Sequence, residues 1–268
     1  MVKYSIITPV FVGDESRLNG LYRSIESVKR QSVKDFEHIV INDGSTLDAK
    51  IPEKQIKLIN QPHLERIVAY FNGMKEATGE WFAFLDSDDE LVSYYLEACD
   101  AMMQKFPDVK MFNFGSIHIT GDYKAQPRDA FKPAKLEVGH EVFGGGKIVN
   151  GTFIFHRSVY EDLGGYPEPV VKDIDCTEIN YPNNEGKMVR DLGMSSPWDF
   201  SAYYQVKYPE IRPFFTHEAE PKKEIKELGN PFGNDYALFY TYTRKYHSEP
   251  IDAHLYIVHP GKGGNHGF

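Results

Sequence analysis

Glu80-Trp81-Phe82-Ala83-Phe84-Leu85-Asp86-Ser87-Asp88-Asp89 is the stretch whose reading decides the fold. Glu80 to Leu85 is a nearly continuous apolar run, the pattern of a central strand buried on both faces. The carboxylates of Asp86, Asp88 and Asp89 follow it without a spacer. In an open α/β sheet, ligands bind outside the carboxyl ends of the strands. Asp86 and Asp88 are two apart, so in extended backbone they project to the same side. Paired carboxylates there can hold a hard divalent cation, Mg²⁺ or Mn²⁺. A plainer reading is a solvated acidic turn capping the next helix, with Asp89 and Glu90 at its N-terminus.

Outward from that run, the first 115 residues alternate strand and helix signals. Tyr4 to Pro9 is a short β-rich run closed by proline. Arg17 to Gln31 spaces Leu18, Leu21, Ile25 and Val28 as one face of a helix. Phe36 to Ile41 reads as the second strand, stopped by the turn chemistry of Asn42-Asp43-Gly44-Ser45. Ile56 to Asn60 is a third strand, and Leu64 to Thr78 a helix ended by Gly79. Beyond the acidic cluster come a helix, Ser93 to Lys105, and a strand, Val109 to Phe114. This rhythm predicts an α/β fold with a mostly parallel central sheet flanked by helices. It also puts the Asp43 turn and the Asp86 cluster on one edge.

The second half is less regular. Thr120 to His140 is polar, Gly144-Gly145-Gly146 interrupts the chain, Gly151 to Phe155 is strand-like, and Arg157 to Leu163 is a short helix. From Pro167 to Pro197 periodicity nearly vanishes, as in a long functional loop or an insertion. A helix near Asp199 to Val206, a strand near Ile211 to Thr216 and a helix from Asn234 to Tyr246 are expected. A last strand, Ala253 to Val258, ends at His259-Pro260-Gly261, before a glycine-rich tail.

Composition narrows the classes. With 268 residues, 41% hydrophobic and 26% charged, the chain is an ordinary globular sequence, which excludes disorder and coiled coil. A formal charge of −9 argues against binding nucleic acid through its phosphates, and no nucleic acid partner is expected. Two cysteines are too few for a disulfide framework or a cysteine zinc site. No segment has the roughly 18 apolar residues of a membrane span, and the N-terminus reads as a strand, so a cytoplasmic location is expected. The sequon Asn150-Gly151-Thr152 carries little weight without a secretion signal. Gly144-Gly145-Gly146-Lys147 lacks the spacing and hydroxyl of a phosphate-binding loop, and no hydrolase or zinc-protease motif occurs.

The ordered set Ser5-Ile6-Ile7-Thr8-Pro9-Val10, Ser24-Ile25-Glu26-Ser27-Val28, Phe36 to Thr46, Asn72 to Trp81 and Leu85 to Asp89 resembles the nucleotide-sugar half of family 2 glycosyltransferases, which have the GT-A (Rossmann-like) fold. The resemblance implies that residues 1–115 are the nucleotide-sugar-binding half and 116–268 the acceptor-binding and catalytic-base half of one GT-A domain. It implies inverting, metal-assisted transfer from a nucleoside-diphosphate sugar, UDP- or GDP-linked, to a hydroxyl of a glycan, lipid-linked or other acceptor. Peripheral membrane association is compatible with such acceptors. By the same resemblance Asp43 contacts the base, Thr8 and Pro9 shape its pocket, Arg66 faces the nucleotide, Asp86 sits near ribose or metal, and Asp88 is the principal ligand of Mn²⁺ or Mg²⁺. Arg66 reads equally well as an exposed helix charge. Family members usually show Ala-Arg-Asn where this chain has Ala69-Tyr70-Phe71, a departure that leaves open which residue, if any, replaces the second polar contact.

The general base, a carboxylate that deprotonates the acceptor, is expected at a helix start in the second half. Asp235, in Gly233-Asn234-Asp235-Tyr236, matches that pattern best, with Asn234 replacing the usual first acid. Asp199, in Pro197-Trp198-Asp199-Phe200, is the alternative, and either can also be a simple N-cap. His259 is the expected histidine near metal and diphosphate, with His217 a weaker candidate; at a strand end, His259 can equally be a surface histidine. Two other functions compete. A nucleotidyltransferase or sugar pyrophosphorylase needs an early glycine-rich basic loop, yet Pro9 to Leu18 holds one Gly and one Arg. A catalytically silent nucleotide-sugar-binding protein would fit the missing acid at Asn234.

Overall fold

The computed structural model describes residues 2–48, 50–51, 56–63, 66–120, 124–127, 133–137, 151–162, 179–180, 220–221 and 245–260. In chain order the elements are β1 (Tyr4–Val10), α1 (Glu15–Lys29), β2 (Phe36–Asp43), β3 (Lys57–Gln61), α2 (Arg66–Glu76), β4 (Trp81–Phe84), β5 (Glu90–Leu91), α3 (Tyr95–Lys105), β6 (Met111–Ile119), β7 (Ala125–Pro127), β8 (Phe153–His156), α4 (Arg157–Asp162), β9 (Ile179–Asn180), β10 (Glu220–Pro221) and β11 (Glu249–Val258). The strands expected at Tyr4, Phe36, Ile56, Glu80, Val109, Gly151 and Ala253 are all present. β5, β7, β9 and β10, two or three residues each, leave no periodic signal in the sequence.

The main sheet runs β3-β2-β1-β4-β8-β6-β11-β5, with β7 added beside β6. The first four strands are mutually parallel. β8 lies antiparallel to both β4 and β6, and β11 is parallel to β6, so β6 and β11 run with the first four. Only β5, β7 and β8 run the other way. The sheet is therefore mixed in its pairings yet mostly parallel in direction. β6 spans the expected boundary at residue 115, and β7, β8 and β11 complete the sheet from the second half.

Two cores fill the two faces. On one, α2 sets Ala69, Tyr70 and Met74 against Ile7, Ile39, Ile41, Phe82 and Phe84. On the other, α3 sets Leu96 and Cys99 near Tyr4, Ile6, Ala83, Leu85 and Tyr256. β4 contributes to both, with all four residues buried. α1 begins where Asp14 accepts from the Arg17 amide at 2.9 Å, an N-cap, and packs Leu21 and Ile25 on Val10 and Val40.

At the opposite edge, where the chain enters β4, Glu37 ties three segments together. Its Oε1 accepts from Ser5 Oγ (2.6 Å), Thr78 N (2.5 Å), Thr78 Oγ1 (2.8 Å) and Gly79 N (3.1 Å). Gly79 has no room for a side chain: a Cβ would come within 2.7 Å of the Ser5 amide nitrogen. Burial pushes the Glu37 carboxyl up, but the hydrogen bonds from Ser5, Thr78 and Gly79 outweigh it and hold it below the usual range. A depressed carboxyl stabilises the fold above its unfolded pKa, about 4.3, and that contribution is lost as pH falls through the folded value. Glu37→Gln is therefore expected to unfold at lower urea concentration than wild type at neutral pH. The gap should narrow as pH drops below about 4. Urea midpoints measured across pH check this, and a gap that stays constant into acid would contradict it.

Candidate active site

Because β1, β2, β4 and β11 run the same way, their carboxyl ends gather along one edge. That edge carries Asp43 at the end of β2, Asp86 to Asp89 just beyond β4, and His259 just beyond β11. The turn after β2 is built as its residues predict. Asn42 Oδ1 accepts from the Ser45 amide (3.1 Å), and Ser45 Oγ accepts from the Val12 amide (2.8 Å). Gly44 takes φ 71°, a left-handed conformation, and any Cβ there would lie 2.7 Å from the His63 nitrogen.

Asp43 is 3% exposed and held from two sides. Gln61 Nε2 donates to its Oδ1 at 2.7 Å, and His63 Nδ1 lies 2.9 Å from its Oδ2. Asn72 in turn donates to Gln61 Oε1 at 2.7 Å, which anchors the carboxylate to α2. The half-exposed His63 ring sits 4.6 Å from that of Phe11, over which Arg17 lies. None of Gln61, His63 and Phe11 stands out in the sequence. Thr8 and Pro9 are both buried within β1, and Thr8 Oγ1 is engaged by His38 Nε2 at 2.9 Å. Burial pushes His38 down to about 3, so this imidazole is neutral. Arg66 opens α2, and its side chain lies outside the described residues.

The acidic run forms a tight turn. Leu85 N donates to Ile7 O (3.0 Å), which prolongs the β1–β4 pairing, and Asp89 N returns to Asp86 O (3.1 Å). Asp86 is half-buried: Tyr70 donates to its Oδ1 at 2.7 Å, and its amide donates to the Tyr256 hydroxyl at 2.9 Å. Tyr70 stands where the resemblance leads one to expect an arginine, and its phenol makes this polar contact with Asp86. Asp88 is held through its backbone, Arg23 Nη2 donating to its carbonyl at 2.5 Å. Gly20 lets α1 approach this closely, since a Cβ there would sit 3.1 Å from Asp88 Cα.

The helix-capping alternative does not hold for Asp89 and Glu90. α3 starts at Tyr95 behind Tyr94, which makes no side-chain cap. Asp89 turns inward instead, 5% exposed, and accepts from the His259 amide at 2.9 Å and from the Tyr256 hydroxyl. Burial, then the charges of Asp86 and Asp88, push its carboxyl well above the usual range. Burial and the Asp89 and Asp86 charges likewise push the Tyr256 hydroxyl up, so that it keeps its proton. Glu90 lies in β5 and gathers His259 Nε2 (2.8 Å) and Arg30 Nη2 (2.9 Å), with Arg23 Nε at 3.7 Å.

Asp86 and Asp88 are partly exposed hard-oxygen donors at the edge, the donor type that suits Mg²⁺ or Mn²⁺, which need only one or two carboxylates beside phosphate oxygens. Among the described residues no group of three or more His, Cys, Asp or Glu is arranged to hold a metal. His259 would have to leave Glu90 to serve as a third ligand. Asp235, Asp199, His217 and the tail 261–268 lie outside the described residues. No helix among the described residues is long and apolar enough to cross a membrane.

Comparison with known proteins bears on this edge. The family model for glycosyl transferase family 2 matches residues 5–164. An uncharacterized glycosyltransferase of Rickettsia bellii is 36% identical over 118 residues, 42% of this chain and 16% of that protein. The GalNAc(5)-diNAcBac-PP-undecaprenol beta-1,3-glucosyltransferase of Campylobacter jejuni is 33% identical over 131 residues, 46% of this chain and 38% of that one. The chain thus matches well under half the length of these relatives. The crystal structure of S. aureus TarS 1-349 superposes with a TM-score of 0.51 at 21% identity, over 62% of this chain and 50% of that one. That likeness is one of fold, and it agrees with the expected GT-A class.

Gly151, just before β8, is a place where this edge is sensitive to a small change. It takes φ 81°, and a Cβ would fall 2.4 Å from the Tyr256 ring and 2.9 Å from its hydroxyl. Gly151→Ala should therefore lower stability by about 1–3 kcal/mol, the scale of overpacking a tight site. Chemical denaturation measures this, and an unchanged midpoint would contradict the packing described for Tyr256.

Proposed function

The chain belongs to glycosyl transferase family 2, and from that premise we propose that it transfers a sugar from a nucleoside-diphosphate sugar to an acceptor hydroxyl, with inversion and with Mn²⁺ or Mg²⁺. The observation that carries this reading is the meeting, on one sheet edge, of a buried anchored carboxylate (Asp43) with a turn bearing Asp86 and Asp88. An anchored carboxylate accepts from the N–H edge of a base such as uracil or guanine. A pair of partly exposed carboxylates suits a cation shared with a diphosphate.

In this reading Asp43 holds the base, with Thr8 and Pro9 behind it, Phe11 and His63 beside it and Arg66 towards the nucleotide. Asp86 and Asp88 hold the cation, and His259 joins them if it exchanges Glu90 for it. The bound cation supplies charge neutralisation for the departing diphosphate. Asp235, or else Asp199, takes the proton from the acceptor hydroxyl as it attacks the anomeric carbon from the face opposite the leaving group. The Campylobacter relative is named for a lipid-pyrophosphate-linked glycan acceptor, and an acceptor of that class is the one we propose here.

Asp88→Ala is expected to abolish Mn²⁺-dependent binding of UDP or GDP, and EDTA to inactivate the wild type reversibly. Calorimetry giving an unchanged nucleotide affinity in Mn²⁺ would count against Asp88 as the ligand. With a panel of UDP-, GDP- and TDP-sugars, release of nucleoside diphosphate supports the proposal, whereas release of pyrophosphate or binding without turnover contradicts it.

Asp235→Asn keeps shape and capping ability but loses the proton acceptor. Transfer should slow about 100-fold or more, the scale of general-base catalysis, with donor affinity nearly unchanged. Asp199→Asn should be milder. Normal turnover in Asp235→Asn with loss in Asp199→Asn would exchange the two roles.

A further inference from the structure

Two tyrosines reach Asp86 from opposite faces of the sheet. Tyr70 comes from α2 through the core of Ile7, Ile39 and Ile41, its ring 4.4 Å from that of Phe84. Tyr256 comes from β11 through the core of Ile6, Ala83 and Leu85. Both side chains are buried, and a buried phenol hydroxyl needs a hydrogen-bond partner. Tyr70 donates to the Asp86 carboxylate (2.7 Å), while Tyr256 accepts from the Asp86 amide (2.9 Å) and donates to Asp89. One hydroxyl thus orients the side chain of Asp86 and the other its backbone.

We propose that Tyr70 and Tyr256 form a positioning clamp that fixes the Asp86 carboxylate for a divalent cation and a diphosphate, which rests on the role given to Asp86 under Proposed function. The choice of phenols has a physical reason. An arginine or lysine at position 70 could hold the same carboxylate but would neutralise it. A neutral donor orients Asp86 without bringing a positive charge of its own to the carboxylate. The phenol is also stiff, with two side-chain torsions each locked by core packing, so little freedom remains at the carboxylate. Tyr256 adds a second effect, since its bond to Asp89 ties down the far end of the same turn. Because both hydroxyls act on one residue, their effects should not be additive.

The test is calorimetric titration of UDP into wild type, Tyr70→Phe and Tyr256→Phe at a series of Mn²⁺ concentrations and in EDTA, with unfolding midpoints taken alongside. Hydrogen exchange of the 85–89 amides is followed in the same proteins. In folded Tyr70→Phe the Mn²⁺ concentration for half-maximal UDP binding should rise about tenfold, while UDP affinity in EDTA stays as in wild type. A merely structural role would weaken both together. An unchanged Mn²⁺ requirement in folded Tyr70→Phe overturns the clamp, and that variant alone carries the test if Tyr256→Phe does not fold. If wild type binds neither UDP nor GDP at any Mn²⁺ concentration, it is the donor reading that falls. Exchange then decides the clamp: faster exchange of the Asp86 amide in Tyr256→Phe, or of the 85–89 amides in Tyr70→Phe, supports it, and unaltered exchange in the folded variants overturns it.

Discussion

Everything at the candidate site depends on the register of β4. Its residues Trp81 to Phe84 pair in parallel with Tyr4 to Ile7 on one side, and Trp81 to Ala83 pair antiparallel with β8 on the other. A slip of one residue would swap Phe82 and Phe84 with Trp81 and Ala83 between two filled cores, so the register has no near alternative. Leu85 extends the pairing through its amide to Ile7. The chain therefore leaves the sheet at a set height, and the first residue free to turn is Asp86. β1, between β2 and β4, holds Asp43 one strand further along the same edge.

The same constraint creates an electrostatic problem. Three carboxylates occur in the four residues from Asp86 to Asp89, and like charges so close oppose one another. The turn distributes them by environment. Asp89 goes inside, where burial and its neighbours favour the protonated form and where the His259 amide and Tyr256 hydroxyl serve it in either state. Asp86 stays at the boundary, where the neutral Tyr70 hydroxyl donates to it. Asp88 is secured through its carbonyl by Arg23, while Arg23 and Arg30 lie around Glu90 on the outer side. Arg23 and Arg30 therefore support the frame of the turn.

The sequence exposes the frame better than the furnishing. Apolar runs and turn residues act within a few positions, so the strands at Tyr4, Phe36 and Trp81, and with them the shared edge of Asp43 and Asp86, follow from local patterns. The contacts that finish the edge are not local. Gln61 and His63 meet Asp43 from 18 and 20 residues away, and Tyr256 meets Asp86 from 170. Asp89 and Glu90 look like ordinary capping residues because helix caps are read from a few neighbours. What overrides that reading is β5, two residues that pair with β11 and so swing Asp89 inward. A strand this short leaves no periodic signal. Tyr70, seen in sequence as the loss of an arginine, makes a contact with Asp86 that only its partner discloses.

This separation has a consequence for how the edge acquires its order. The first-half sheet can set Asp43 and Asp86 side by side from parallel strands packed on α1 and α2. The acidic turn, however, is completed by β11, which brings the Tyr256 hydroxyl, the His259 amide and the partner for β5. Closing contacts across such a span carries a chain-entropy cost that local turns do not meet. It is offset by the broad pairing of β11 with β6 and by the burial of Leu255, Tyr256 and Val258 in the second core. The geometry of Asp86 to Asp89 is thus a tertiary property. Its accuracy depends on the last described strand of the chain, although every carboxylate in it belongs to the first half.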